Sequence, residues 1–302
     1  MKTAQFHLLD ALVETFLFDR KVQNFTPGTV TYYRGKLKRF RLYCQRVGIE
    51  YVEQITPDTL RGFLALLESD GLVPGGRLGH YRAVKTFLRW FARETAPEAW
   101  SNPIEKVKPP KVLDAPIQPI SLKDAERVLS KCPADLKGTR DKAIFLLLID
   151  TGIRAAELLS LNTDDVDFVT GSALIRAGKG GKTRIVYFGS RTKKSLRRYV
   201  SMRDDEADPL FVSVDDRARL TYSGLRWIVL NRFRDARVRP RGIHTFRRLH
   251  ALTMLRNGVD VITLSRLMGH STTDVLRRYL AQTDEDLHIA HARASPVDKG
   301  LL

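Results

Sequence analysis

The sequence predicts a mainly α-helical protein in two parts, an N-terminal helical bundle followed by an α+β unit with a small antiparallel sheet. Three observations predict it. The chain has 302 residues, more than a single core of ordinary size serves. Apolar residues recur at the helical period through the first third and give way to short alternating runs only in the second part. Between the two, residues 106–118 read Lys-Val-Lys-Pro-Pro-Lys-Val-Leu-Asp-Ala-Pro-Ile-Gln, and three prolines in so short a stretch exclude a regular helix. The reading is a helical unit over 1–105, an extended basic connector over 106–118 and a second unit over 119–302.

In the first unit, a helix is expected over residues 6–18. Thr26-Pro27 then sets a capping hydroxyl before a proline at the first helical position. The helix it starts carries Tyr33, Leu37, Phe40, Cys44 and Val47 on one stripe, and Gly48 ends it. Thr56-Pro57-Asp58 repeats the start signal ahead of Leu60, Phe63, Leu64 and Leu67, and Gly71 stops that helix. A further helix over 78–94 turns Tyr81, Val84, Phe87, Leu88 and Phe91 inward and Arg82, Lys85, Arg89 and Arg93 outward. In the second unit Ser121 caps a helix reaching Cys132, and a strongly apolar helix covers 141–150. Strands are expected at 166–168, 173–177 and 184–188, the last two joined by Gly178-Lys179-Gly180-Gly181-Lys182, a glycine-rich turn. From Arg191 onward the pattern is helical again.

Charge narrows the function. The 51 Lys and Arg against 34 Asp and Glu leave +17, a field that calls for a polyanionic partner. The surplus is 4 in residues 1–105 and 11 in residues 119–302, so the second unit carries most of it. Nucleic acid is the expected partner. A membrane is not expected, because no apolar run approaches bilayer length and no segment pairs a basic face with a large apolar one. The N-terminus lacks a secretory start, and the two cysteines form no paired motif, which suits a soluble protein of a reducing, cytoplasmic compartment at the nucleoid.

Cleaving a phosphodiester needs cationic forks on the non-bridging oxygens, a nucleophile, and a proton donor for the leaving alkoxide. The sequence offers these parts. Arg154 follows Thr151-Gly152-Ile153, where the glycine permits a sharp turn after a buried helix. His244 and Arg247 stand three residues apart on one helix face. His270 sits at a helix end, and Tyr279 follows nine residues later. Lys179 occupies the tip of the glycine-rich turn, with Lys182 as its rival three residues along. Glu157 reads as structural, orienting an arginine, and His250 as packing.

In these segments the chain resembles the tyrosine recombinase (phage integrase) family of the simple two-domain, Xer-like type. The resemblance rests on T-G-I-R-A-A-E-L at 151–158, G-K-G-G-K-T-R at 178–184, H-T-F-R at 244–247, L-M-G-H at 267–270 and the tyrosine at 279, in that order. It extends to the helical first unit, which is similar to the family's SAM-like core-binding domain, and implies a DNA breaking–rejoining fold for the second. It implies that Arg154 and Arg247 clamp the scissile phosphate and that Tyr279 attacks it to give a 3′-phosphotyrosyl link. Lys179 then protonates the leaving 5′-oxygen, His244 serves as acid–base partner and His270 bonds the phosphate. Arg82, Lys85, Arg89, Arg93, Lys182 and Arg184 are expected to contact DNA. No cofactor and no metal are implied, since the ester stores the bond energy. Arg248 stands where the family often has histidine, and Val275 and Leu276 where threonines are common.

The resemblance further implies a homotetramer on two DNA sites, with the two units gripping opposite faces of a duplex. The short helical pattern of Leu287, Ile289 and Ala292 is read as docking on a neighbouring protomer. The chain starts directly with the core-binding region, without an arm-site domain. Two other readings fit parts of this pattern: a type IB topoisomerase, which would relax circles without a site requirement, and a non-catalytic DNA-binding regulator, which would have no use for a nucleophile.

Overall fold

The computed structural model describes residues 7–97, 99–112, 119–176 and 183–269, with the isolated positions 288, 291, 292, 295, 297 and 298. Lys179, Lys182, His270, Tyr279 and most of the segment 281–302 lie outside these described residues. The chain divides into two units, 1–114 and 115–302.

Four helices build the first unit: α1 (Leu9–Val22), α2 (Pro27–Arg46), α3 (Pro57–Ser69) and α4 (Pro74–Glu94). The Thr-Pro steps start α2 and α3 as expected, with Thr26 accepting from Thr29 N and Thr56 from Thr59 N. Leu37, Phe40, Cys44, Leu60, Phe63, Leu67, Val84, Phe87, Leu88 and Phe91 are buried in one core. Val47, read as the end of the α2 stripe, is 48% exposed because it caps the helix instead of continuing it. Helix α1 runs four residues past its expected end, to Val22. Helix α4 starts four residues before its expected start, at Pro74, where a capping side chain is missing and glycines lower helix propensity.

The unit also reaches further than composition indicates. A 3₁₀ turn spans Pro103–Lys106, and Val107, read as connector, is 6% exposed in the same core. Tyr81 Oη donates to its carbonyl at 2.8 Å. The prolines that make 106–118 look like a free connector thus begin only after this tether.

In the second unit, α5 (Leu122–Ser130) is capped by Ser121. Helix α6 (Leu136–Thr151) begins well before the expected Asp141, because its cap is Asp135, which accepts from Gly138 N at 2.7 Å. Residues 143–148 of α6 are all buried, so this helix runs through the middle of the unit, packed by its neighbours on every side. There follow α7 (Ala155–Ser160), a 3₁₀ turn, and strands β1 (Val166–Asp167), β2 (Ser172–Ile175) and β3 (Arg184–Tyr187). The sheet is antiparallel in the order β1-β2-β3, with Ala173 opposite Val186 and Ile175 opposite Arg184. Helices α8 (Ser190–Ser201), α9 (Tyr222–Asp235), α10 (His244–Arg256) and α11 (Val261–Met268) complete it. Helix α6 packs on α8 and α10, which places the C-terminal end of α6 beside α10. Both cysteines are free thiols, each pushed up to about 12 by burial first of all. Among the described residues, no helix is long and apolar enough to cross a membrane.

Candidate active site

The site forms where α6 stops. Gly152 caps it in the left-handed conformation, φ +59°, and a Cβ there would lie 2.6 Å from His250 Cδ2. Both facts require glycine. His250 is held in turn by the Ile149 carbonyl, 3.0 Å from its Nδ1. The chain turns through buried Ile153 and presents Arg154 as the cap of α7.

Arg154 is fixed at three atoms. Its backbone N–H donates to Glu157 Oε2 at 2.8 Å, its Nη1 to Glu157 Oε1 at 2.9 Å and its Nη2 to the Gly269 carbonyl at 3.1 Å. Arg247, on the first turn of α10 and 4% exposed, donates from Nη1 to the Gly152 carbonyl and from Nη2 to the Met268 carbonyl at 2.8 Å. Two arginines from distant parts of the sequence thus meet on consecutive carbonyls, Met268 and Gly269, at the C-terminal end of α11. Those carbonyls carry the negative end of the helix dipole and hold cations there. Gly269, like Gly152, is left-handed, φ +64°.

Glu157 balances this cluster. It is 5% exposed and accepts from Arg154 and from both terminal nitrogens of Arg184, each at 2.8 Å. Burial alone would raise its pKa. The hydrogen bonds from Arg184 and from the Arg154 backbone, then the charge of Arg184 and the Arg154 side-chain hydrogen bond, more than offset that and hold it down to about 2. Among the described residues, two guanidinium groups therefore share one carboxylate, and Arg247, held on backbone carbonyls, adds a third positive charge, leaving the pocket positive. His244 stands one turn before Arg247, open to solvent on one side. Partial desolvation, then the charges of Arg247, Arg248 and Arg154, push its imidazole below the ordinary value, which keeps it neutral and able to take a proton.

The structure therefore brings together Arg154, Arg247 and His244. Arg184, expected on the DNA, pairs with Glu157. Its strand explains this: side chains alternate along β3, so the face that buries Val186 also carries Arg184. The carbonyls of Met268 and Gly269 are functional groups that sequence reasoning missed, since no side-chain pattern reports a backbone acceptor.

In the first unit, the outer face of α4 carries the other expected cations. Arg82 is exposed, and Lys85 Nζ sits 5.8 Å from the Tyr81 ring centroid. Arg89 pairs with Glu105 at 3.0 Å and Arg93 with Glu94 at 2.9 Å. Arg82, Lys85 and Arg89 line a concavity of about 390 Å³ with Tyr32 and Tyr33 of α2, aromatic neighbours that the helical stripe did not single out for this face.

Residues 119–286 match the phage integrase family. The chain is 29% identical over 290 residues to tyrosine recombinase XerA of Thermococcus onnurineus, covering 94% of each. It is 30% identical over 293 residues to tyrosine recombinase XerC 2 of Ralstonia nicotianae, covering 91% of this chain and 82% of that one. In fold it is similar to the Tn1549 transposon integrase solved with a circular intermediate DNA, with a TM-score of 0.74 at 17% identity over 96% of this chain and 99% of that one. With a family match across more than half its length, this chain belongs to the phage integrase family of tyrosine recombinases.

Proposed function

We propose that this site-specific recombinase cleaves and rejoins double-stranded DNA through a 3′-phosphotyrosyl intermediate, with Tyr279 as nucleophile. One observation carries the reading: Arg154 and Arg247 are braced on the adjacent Gly269 and Met268 carbonyls, with Arg154 also on the Glu157 carboxylate, which supports a preorganised surplus of positive charge. A phosphodiester entering that pocket meets cations already oriented, and their low-dielectric surroundings strengthen the attraction. Hydrogen bonds to Glu157 and Gly269 engage two of the five N–H donors of the Arg154 guanidinium among the described residues, so that group can still grip a non-bridging oxygen.

The chemistry balances without an external reactant. The Tyr279 phenol loses its proton to neutral His244 and its oxygen bonds to phosphorus. The bond from phosphorus to the 5′-oxygen breaks, and Lys179 gives that oxygen a proton. Attack by a 5′-hydroxyl on the phosphotyrosyl ester reverses these steps and reseals the DNA. His270 bonds the phosphate, and the cations of α4 and Lys182 add backbone contacts. The enzyme acts as a homotetramer on two DNA sites at the cytoplasmic nucleoid. The positive charge, the cation-lined groove of the first unit and the names of the relatives support this reading.

The test is a nicked suicide substrate whose short fragment bearing the freed 5′-hydroxyl diffuses away after cleavage. Wild-type protein should yield an SDS-resistant protein–DNA adduct. Tyr279→Phe should bind with unchanged affinity and yield none; an adduct in that variant defeats the assignment.

A further inference from the structure

Arg184 touches two of the segments that carry the chemistry. It is the first residue of β3, two residues after Lys182 in the sequence. Its guanidinium meets Glu157 as a two-pronged fork, Nη1 on Oε1 and Nη2 on Oε2, both at 2.8 Å. The same carboxylate orients Arg154 through its side chain and its backbone N–H. Arg184 also packs under the Gly269 turn, so closely that a Cβ on Gly269 would stand 2.9 Å from Arg184 Nε. The Gly269 carbonyl takes the other prong of Arg154. With a side chain only 14% exposed and a partner 5% exposed, Arg184 has little surface to offer DNA.

We propose that Arg184 is a positioning residue of the cleavage site: through Glu157 and the Gly269 turn it ties β3 to the Arg154 turn, and it makes no DNA contact. The inference rests on the recombinase reading above. Two cations sharing one carboxylate fix each other's geometry, since each prevents Glu157 from turning to follow the other. Without Arg184, Arg154 and its carboxylate can move together out of line with the phosphate. A lysine at 184 would keep the charge but lose the planar fork that spans both carboxylate oxygens.

The experiment measures single-turnover cleavage on the suicide substrate, DNA affinity across a salt series, and thermal unfolding for the wild type, Arg184→Ala, Arg184→Lys, Glu157→Gln and the double variant Glu157→Gln/Arg184→Ala. Displacing a reacting group by about 1 Å costs on the order of 100-fold in rate, which is the loss expected for Arg184→Ala, with Arg184→Lys between it and the wild type. Affinity and the salt slope should match the wild type, and the double variant should cleave no more slowly than the worse single one, because the two residues act as a unit.

Weaker binding with a salt slope reduced by about one would make Arg184 a phosphate contact and overturn the proposal. Wild-type cleavage by Arg184→Lys, or additive losses in the double variant, would overturn it too. Should Arg184→Ala fail to fold, Arg184→Lys, which keeps the stem and the charge, decides alone. Absence of any adduct from the wild type would instead defeat the recombinase reading itself.

Discussion

The interior of the first unit is apolar, with aromatic rings packed among aliphatic side chains. Phe16 meets Tyr33, Phe87 and Trp90, Phe40 meets Phe63, and Phe91 meets Trp100, each with ring centroids within 5.7 Å. Its buried ionisable groups are exceptions that stay discharged or covered. His80 is pushed down to about 4 by burial, then by Lys36 and Arg39, and the Arg20 guanidinium lies over Phe16 and Phe25. The second unit buries Arg140, Asp141, Glu157, Asp165 and Arg247. Burying ions costs desolvation that apolar packing avoids, so such pairs are weak evidence for stability. They hold a geometry instead. Away from the site, Asp141 joins Arg140 to Arg232, pinning α6 to α9. At the site, Glu157 pins a turn, a helix start and a strand with one carboxylate. A bundle can be held by apolar packing, whereas two guanidinium groups meeting at one point need charged braces.

The contrast predicts where single changes hurt most. Arg154→Ala removes a preorganised charge stabiliser, a change of about 10²–10³ in single-turnover cleavage or roughly 3–4 kcal/mol of barrier. A loss smaller than about tenfold would break the idea that this cluster is the clamp.

Removing the brace comes next. Glu157 ionises at about 2 in the folded protein against an ordinary 4.5. Its folded pKa is depressed, so the stability it contributes is complete above pH 4.5 and is lost as pH falls towards 2. A displacement of that size corresponds to on the order of 3 kcal/mol. Denaturant unfolding across this window should show the loss in the wild type and a flatter profile in Glu157→Gln, which starts from lower stability at neutral pH. Equal slopes in both would mean that the buried carboxylate is not the group that acid disables.

How much of this was legible follows the same division. The apolar core could be read because periodicity is local: Phe87, Leu88 and Phe91 declare their face within four residues, and Thr26-Pro27 and Thr56-Pro57 announce their own helices. Helix starts were misplaced where the signal is subtle. The apolar run begins near Asp141, which lies inside the helix and pairs with Arg140 and Arg232, and the cap is Asp135, six residues earlier. Arg154 and Arg247 were found by motif resemblance alone, since nothing in their spacing says that both reach the end of α11. The burial of Arg184 was legible but went unread, because Arg-Ile-Val-Tyr alternates and puts the arginine on the same side as the valine.

The smallest effect, and the one that most sharpens the comparison, belongs to the exposed face of α4. Arg82 is exposed and its loss disturbs no core residue, so Arg82→Ala should leave thermal stability and saturated cleavage unchanged. If it neutralises one phosphate, the slope of log affinity against log salt should fall by about 0.9. Arg89 and Arg93 begin from a different state, since each already holds a carboxylate, Glu105 or Glu94, at a distance of 3.0 Å or less. Exposed pairs of this kind are weak, yet a cation that must release its carboxylate to reach DNA gains correspondingly less. Alanine at 89 or 93 should therefore weaken binding less than alanine at 82, and Glu105→Gln should tighten it slightly by freeing Arg89. If instead the salt slope is the same with and without Arg82, the arginine stripe of α4 is only a solvated helix face, and the DNA grip of the first unit must come from elsewhere on its surface.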